Sequence, residues 1–361
     1  MTAQRACADC LRRSWLLARL AGYLDNERRR IAELLDLDDE DLIEAVGGKD
    51  VGAVRAEWRA FASDRYRERC EAARLETLCR CEAAYPDMLW ALEAEPAVLH
   101  VAGGTERFLR FMAQRTVAIV GARRASPYAL ENARSLGRGV ARSPGATVVS
   151  GMAAGIDSAA HEGALHVGGA TVAVLASSPE RPYPASSRRL HGEIVSAGAV
   201  VSELGPGVAT RRWMFPARNR IIAALSAMTV VVAARRGSGA LLTAEAAMKL
   251  GRTVGAVPGQ VTAPLSFGPH ILLKTGAHLI GEPGDVFVAL CNEDRRLAPQ
   301  LAGPHDPALI GLFEAIADGY ELPSAFAEAG LEADAGLAAL AELEMGGYVR
   351  RQAGGRYTIA S

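Results

Sequence analysis

The chain has 361 residues, 50% of them hydrophobic, and 40 Lys or Arg stand against 41 Asp or Glu. That balance excludes disorder throughout and a uniformly basic coat, and the length leads us to expect two or three compact units. No apolar run reaches the about 20 residues of a membrane helix and no basic-then-apolar segment opens the chain, so a cytoplasmic protein without a membrane partner is expected.

Six cysteines (Cys7, Cys10, Cys70, Cys79, Cys81 and Cys291) do not suggest a disulfide framework in such a chain. Cys7-x-x-Cys10 and Cys79-x-Cys81 together offer four thiolates to zinc. The single residue inside the second pair is unusual for a zinc knuckle, and the expectation is reduced thiols on or between helices, with no metal and no cofactor.

From Leu11 to about Ala84, apolar residues recur at helical spacing (Leu16, Leu17, Leu20; Ile31, Leu34, Leu35; Leu42, Ile43, Val46), with Asp25, Asp36, Asp38 and Asp39 where helix starts want an acceptor. Residues 1–84 are predicted to form a small helical domain. Between residues 85 and 292 the character changes. Val117–Val120, Thr147–Val149, Thr171–Leu175, Val200-Val201, Thr229–Val232 and Thr253–Val257 are short β-branched runs without polar alternation, separated by helical stretches. Such strands are buried on both faces, which predicts an α/β fold, an extended Rossmann-like parallel sheet. Pro299, Pro304 and Pro307 mark residues 293–307 as a linker. Helical patterns at Ala308–Ala317, Pro323–Ala329 and Ala333–Met345 then precede Tyr348–Arg351, a turn at Gly354-Gly355, and Tyr357–Ile359, the outline of a winged-helix-like domain over 308–361.

In an open parallel sheet, ligands bind at the carboxyl ends of the strands, beside helix N-termini that favour anions. The first strand is followed by Gly121-Ala-Arg123-Arg124-Ala-Ser126-Pro127, which allows a tight turn, supplies guanidinium groups and starts a helix; it is not a dinucleotide fingerprint. After the second come Ser150-Gly151, Asp157 and His161. A catalytic triad from Ser150, Asp157 and His161 lacks the nucleophile-elbow sequence, and a local Asp–His pair on one helix face explains the spacing better. Arg211-Arg212-Trp213-Met-Phe215-Pro-Ala-Arg218-Asn219-Arg220 mixes four arginines, two aromatics and an asparagine ahead of an apolar helix, the composition that tracks phosphates and stacks unpaired bases. Arg235-Arg236-Gly237-Ser238-Gly239 makes a further glycine-rich turn after a strand. From Glu203 to Lys274 there are nine Lys or Arg, Lys249, Arg252 and Lys274 among them, against two acids, a local net of +7 that predicts a polyanion partner. Between Asp306 and Gly346 there are nine acids and no Lys or Arg, so this part is expected to meet protein rather than DNA.

The central section resembles the DNA-processing protein A (DprA/Smf) family. The resemblance rests on Val117–Arg123, Ser150–Asp157 with His161, Tyr183-Pro184, Phe215–Ala223, Gly237–Ala244 and Ala256–Gly259, with a lead-in at Tyr85–Leu89 and Pro96–Leu99. It implies a non-enzymatic, single-stranded DNA-binding protein that dimerises through its Rossmann domain and helps load RecA during recombination, above all in natural transformation. Arg123, Ser150, Gly151, Phe215, Arg218, Asn219 and Arg220 are then expected to line the DNA pocket together with Gly121, Arg212 and Ser238, while Lys249, Arg252 and Lys274 extend its basic rim. Ala217, Ser187 and His270 depart from residues common in that family. Two rivals compete with this reading. One is a nucleotide phosphoribohydrolase of the lysine-decarboxylase-like type, for which Glu245 is the nearest candidate carboxylate, although the paired glycines of its motif are missing. The other is a nucleotide-sensing module that does not bind DNA.

Overall fold

The computed structural model describes residues 6–27, 30–183, 185–297, 307–317, 320–345, 348–351 and 357–359. The chain divides into two compact units, Met1–Leu290 and Cys291–Ser361.

The first unit opens with helices α1 (Ala8–Arg19), α2 (Ala21–Leu24), α3 (Ile31–Asp36), α4 (Asp39–Val46), α5 (Val51–Arg59) and α6 (Ser63–Ala72). They bury the leucines and isoleucines that the helical periodicity singled out, and the Asp38 carboxylate caps α4 by accepting from the Asp41 N–H. A strand then appears inside the stretch read as helical: β1 (Glu76–Cys79) pairs antiparallel with β2 (Val98–Ala102). The four residues of β1 are too few for the alternating pattern to stand out beside the helices before them.

After α7 (Thr105–Met112) the chain enters its doubly wound core: β3 (Arg115–Gly121), α8 (Pro127–Arg142), β4 (Ala146–Ser150), α9 (Ile156–His166), β5 (Ala170–Val174), α10 (Arg188–Ala197), β6 (Ala199–Ser202), α11 (Met214–Ala224), β7 (Met228–Ala233), α12 (Gly239–Lys249), β8 (Thr253–Ala256), α13 (Phe267–Lys274), β9 (His278–Leu279) and α14 (Pro283–Leu297). The nine strands lie in the order β1-β2-β6-β5-β4-β3-β7-β8-β9, with every pair from β6 to β9 parallel. Successive residues of one strand serve opposite cores: Ala118 and Val120 face the layer holding α11 and α12, while Val117 and Ile119 face α8, α9 and α14. Helix α14 continues through residues 293–297, the start of the expected linker, because no Gly or Pro interrupts the chain before Pro299.

The second unit carries α15 (Pro307–Ala317), α16 (Leu322–Glu328) and α17 (Ala333–Met345), then β10 (Val349–Arg351) paired antiparallel with β11 (Tyr357–Ile359). Leu312, Ile316, Ala325, Leu340, Leu343 and Val349 form its core. Residues 298–306 of the expected linker, Pro184 and the glycine pairs Gly346-Gly347 and Gly354-Gly355 lie outside the described residues, while Pro307, the last residue of that linker, opens α15.

Two histidines are sealed inside the first unit. His161 on α9 shares a 2.7 Å hydrogen bond with the Thr171 hydroxyl, and His100 on β2 lies 3.3 Å from the Tyr66 hydroxyl. Burial drives the His161 pKa down to about 3 and that of His100 to about 4. The unfolded chain takes up these protons below about pH 6.5 and the folded chain does not, so stability is full above that pH and falls as the pH drops toward 4. Between pH 7 and pH 5 each histidine should remove about 2 kcal/mol of unfolding free energy. Urea titrations should show the loss, and His161→Gln should flatten the pH dependence.

Candidate functional site

The sheet reverses its winding between β3 and β7, because β4 lies on one side of β3 and β7 on the other. The carboxyl ends of these strands open a crevice there. Asp157, in the first turn of α9, ties its walls together by accepting from the N–H groups of Gly121 (3.3 Å) and Gly151 (3.2 Å). It therefore caps two loops rather than its own helix, whose N-cap Gly155 takes a φ of +88°. A Cβ at Gly155 would lie 2.4 Å from the Ala122 carbonyl oxygen, so only glycine fits both the space and the backbone. Met152 also holds a left-handed φ of +52°, an uncommon conformation for a side chain of this size.

Arg218 reaches from α11 beneath this loop, donating to the Gly151 carbonyl (2.8 Å) and to the Val174 carbonyl. It is 7% exposed, and a Cβ on Gly151 would lie 2.0 Å from its Nη1. Burial lowers its pKa to about 10, partly offset by the charge of Asp157. Burial also raises the Asp157 carboxyl above the usual range, against the opposing influence of Arg218 and the backbone N–H groups. Each is held by backbone groups rather than by the other, and together they join the loops after β3, β4 and β5.

Above these bonds the surface changes to exposed Arg123 and Tyr183 on either side of half-buried Phe215. The Arg123 guanidinium carbon sits 4.7 Å from the Phe215 ring centroid, and Phe215 lies 5.6 Å from Tyr183 at 53°. A cleft of about 190 Å³ is bounded by Arg123, Gly151, Tyr183, Phe215 and Arg218. A second, of about 310 Å³, lies against Arg123 and Phe215 too and is bounded by Gly121, Asn219 and Ser238. Asn219 donates to the Gly239 carbonyl (3.0 Å) and so fixes the start of α12 at this cleft. Exposed Arg124, Arg212, Arg235 and Arg236 stand on the loops and helix start flanking the crevice, with Arg236 4.6 Å over the Phe267 ring. A larger depression of about 850 Å³ lies along α8, α9 and α10, where Arg134 and Glu162 pair with each other (3.2 Å).

Sheets of this kind serve many proteins, and comparison with known ones settles the family. The family model described as DNA recombination-mediator protein A matches residues 76–290. The chain belongs to this family. A putative DNA processing protein DprA from Mycobacterium tuberculosis is 39% identical over 279 residues, 77% of this chain and 66% of that relative's length. The DprA of Streptococcus pneumoniae is 39% identical over 203 residues, 56% of this chain and 70% of its own. Its X-ray structure matches with a TM-score of 0.63 and 30% identity, covering 77% of this chain and 95% of that one. DNA processing protein A from Helicobacter pylori, solved for its single-stranded DNA binding mode, matches with a TM-score of 0.54 and 28% identity over 61% of this chain and 97% of its own.

The match to this DprA family starts at β1, the strand inside the stretch read as helical. Of the residues expected in the pocket, Gly121, Arg123, Gly151, Phe215, Arg218, Asn219 and Ser238 meet at the two clefts. Others lie elsewhere. Ser150 is fully buried and its hydroxyl donates to the Ile119 carbonyl (2.6 Å). Arg220 is held by Glu203 at 2.7 Å and borders neither cleft. Lys249, Arg252 and Lys274 stand at the opposite rim, because a helix that leaves the carboxyl end of a strand runs back to the amino end before the next parallel strand begins. Trp213 is 1% exposed among the N-terminal helices, its indole N–H donating to the Ala21 carbonyl (2.9 Å) and its backbone N–H to Asp25 (3.1 Å). No triad forms, since Asp157 holds backbone N–H groups and His161 holds Thr171. Glu245 is exposed and borders neither cleft. Tyr183, from the Tyr-Pro block and outside the expected site residues, is 48% exposed on the loop before α10 and borders the first cleft.

Arg218 acts on folding before it acts on any ligand. Arg218→Met, which leaves the buried Gly151 and Val174 carbonyls without their donor and Asp157 without a nearby positive charge, should lower the unfolding free energy by about 3 kcal/mol. Arg123→Ala should lower it by about 1 kcal/mol or less. Denaturant unfolding of both variants checks the contrast, and equal losses would contradict it.

Proposed function

We propose that the chain is a single-stranded DNA-binding recombination mediator and that the crevice at the carboxyl ends of β3, β4 and β7 holds the unpaired strand. The observation that carries this reading is the ladder of exposed Arg123, half-buried Phe215 and exposed Tyr183 over the loops that Asp157 and Arg218 fasten. Bases stack on rings whatever their identity, and a guanidinium already lying on a ring can serve a base or a phosphate. The N-terminus of α12 and exposed Arg124, Arg212, Arg235 and Arg236 supply positive potential for the backbone. Family membership and the single-stranded DNA binding mode for which the Helicobacter pylori protein was solved favour the same ligand.

The site binds and does not catalyse: the side chains that would form a hydrolase triad are each committed to structural hydrogen bonds. In this reading the protein acts in the cytoplasm, as a homodimer through its Rossmann domain, and helps place RecA on the strand. Exposed Leu242, Met248 and Ile271 on α12 and α13 and Leu279 on the edge strand β9 favour self-association. The 308–361 part, proposed as a winged helix, meets protein because its charge repels DNA.

Phe215→Ala should weaken binding to a single-stranded oligonucleotide by about 5- to 150-fold, the range for one lost base stack. Arg123→Ala should weaken binding and reduce the slope of log affinity against log salt by about 0.7. Fluorescence anisotropy at several salt concentrations, with a duplex for comparison, measures both. Unchanged affinity in both variants would remove the crevice from consideration.

A further inference from the structure

We propose that Cys7, Cys10, Cys79 and Cys81 bind one structural zinc ion that fastens helix α1 to the sheet edge at β1. Their four sulfurs lie within 4.8 Å of one another, although 68 residues separate the two pairs in the chain. A tetrahedral zinc with bonds of about 2.3 Å sets its sulfurs about 3.8 Å apart. The Cys7–Cys81 and Cys10–Cys81 sulfurs already stand 3.8 Å and 3.7 Å apart. A disulfide needs about 2.05 Å, and no pair among the four is joined.

The surroundings suit a zinc tetrathiolate better than they suit packed thiols. Cys7 is the N-cap of α1 and Cys10 lies in its first turn, where the unpaired N–H groups and the helix dipole favour thiolates. The backbone N–H of Cys7 points at the Cys79 sulfur (3.5 Å), the N–H···S bond that holds a ligand in place in such sites. The Cys79 N–H donates to Glu82 Oε1 (2.8 Å), which closes the turn carrying Cys81. Arg67 holds the Ala6 carbonyl (2.9 Å) just ahead of the first ligand. Arg80, paired with Glu95, also lies beside Cys10 and offsets part of the net negative charge that four thiolates leave around a divalent cation. Cys81 is exposed and Cys7 half-buried, which gives the ion an entry path, while Cys10 and Cys79 close the inner side.

The ion would act at a distance from the crevice. It fixes α1, whose Ser14 donates to the Glu203 carbonyl (3.2 Å) at the end of β6, within the layer that buries Trp213 two residues before Phe215. It therefore supports the placement of α11 without touching DNA.

The test is elemental analysis of the full chain purified under reducing conditions without chelator or added metal, followed by cobalt(II) titration of the metal-free chain. One zinc per chain is expected, and cobalt should give the visible and near-ultraviolet bands of a tetrahedral tetrathiolate. Cys81→Ser, a change at an exposed position, should lose the zinc and those bands, whereas Cys291→Ser should keep both. Removing the metal should lower the melting temperature by about 5 °C or more. Zinc below a tenth of an ion per chain without cobalt bands, iron in its place, or Cys7 or Cys10 disulfide-bonded to Cys79 or Cys81 after immediate thiol blocking would each overturn the assignment.

Discussion

The reversal of winding between β3 and β7 is the constraint on which the rest of the molecule depends. Helices α8 and α9 leave one side of the sheet and α11 and α12 the other, so the loops at this point have no helix above them and part to leave a crevice. A crevice made by topology alone would be soft. Here it is stiffened by a buried carboxylate on two backbone N–H groups and a buried guanidinium on two carbonyls, which convert three separate loops into one surface. The glycines at 151 and 155 follow from that tie, because the space a Cβ would need is taken by Arg218 or by the Ala122 carbonyl.

The same residue type does two different jobs a few ångströms apart. Arg218 is buried on two carbonyls and Arg220 is half-buried against Glu203, so both are committed to partners inside the protein. Arg123, Arg124, Arg212, Arg235 and Arg236 stay in water, contribute little to folding and keep their charge available to a polyanion. A count of arginines therefore overstates the contact surface, and the useful measure is how many remain exposed at one rim.

The strands of the core were legible because burial on both faces demands uninterrupted β-branched runs, and the crevice followed from the glycine-rich turns after them. Strand β1 escaped because four residues behind a helix carry too little pattern. Arg218 could have been placed correctly: Met214, Ala217, Arg218, Ile221 and Ile222 fall on one helical stripe, so it shares the buried face of α11. The rim assignment of Lys249, Arg252 and Lys274 could likewise have been corrected from the direction in which βα units run. Trp213 could not, because what buries it lies in α1 to α4, almost 200 residues earlier in the chain. The cysteine pairs were visible as pairs, but only folding brings the start of α1 onto the end of β1.

The N-terminal helices thus belong to the site's support although none of them borders either cleft at Phe215. They close around Trp213, Met214 and Ala217 and set the angle at which α11 presents Phe215 to Tyr183. Ultraviolet crosslinking of the full chain to an unpaired oligonucleotide, with the adducts located by mass spectrometry, tests the central claim most directly. The account places the adducts on Phe215, Tyr183 and the Arg123 loop. Adducts confined to the opposite rim around Lys249 and Lys274, or to the depression along α8 to α10, would contradict it.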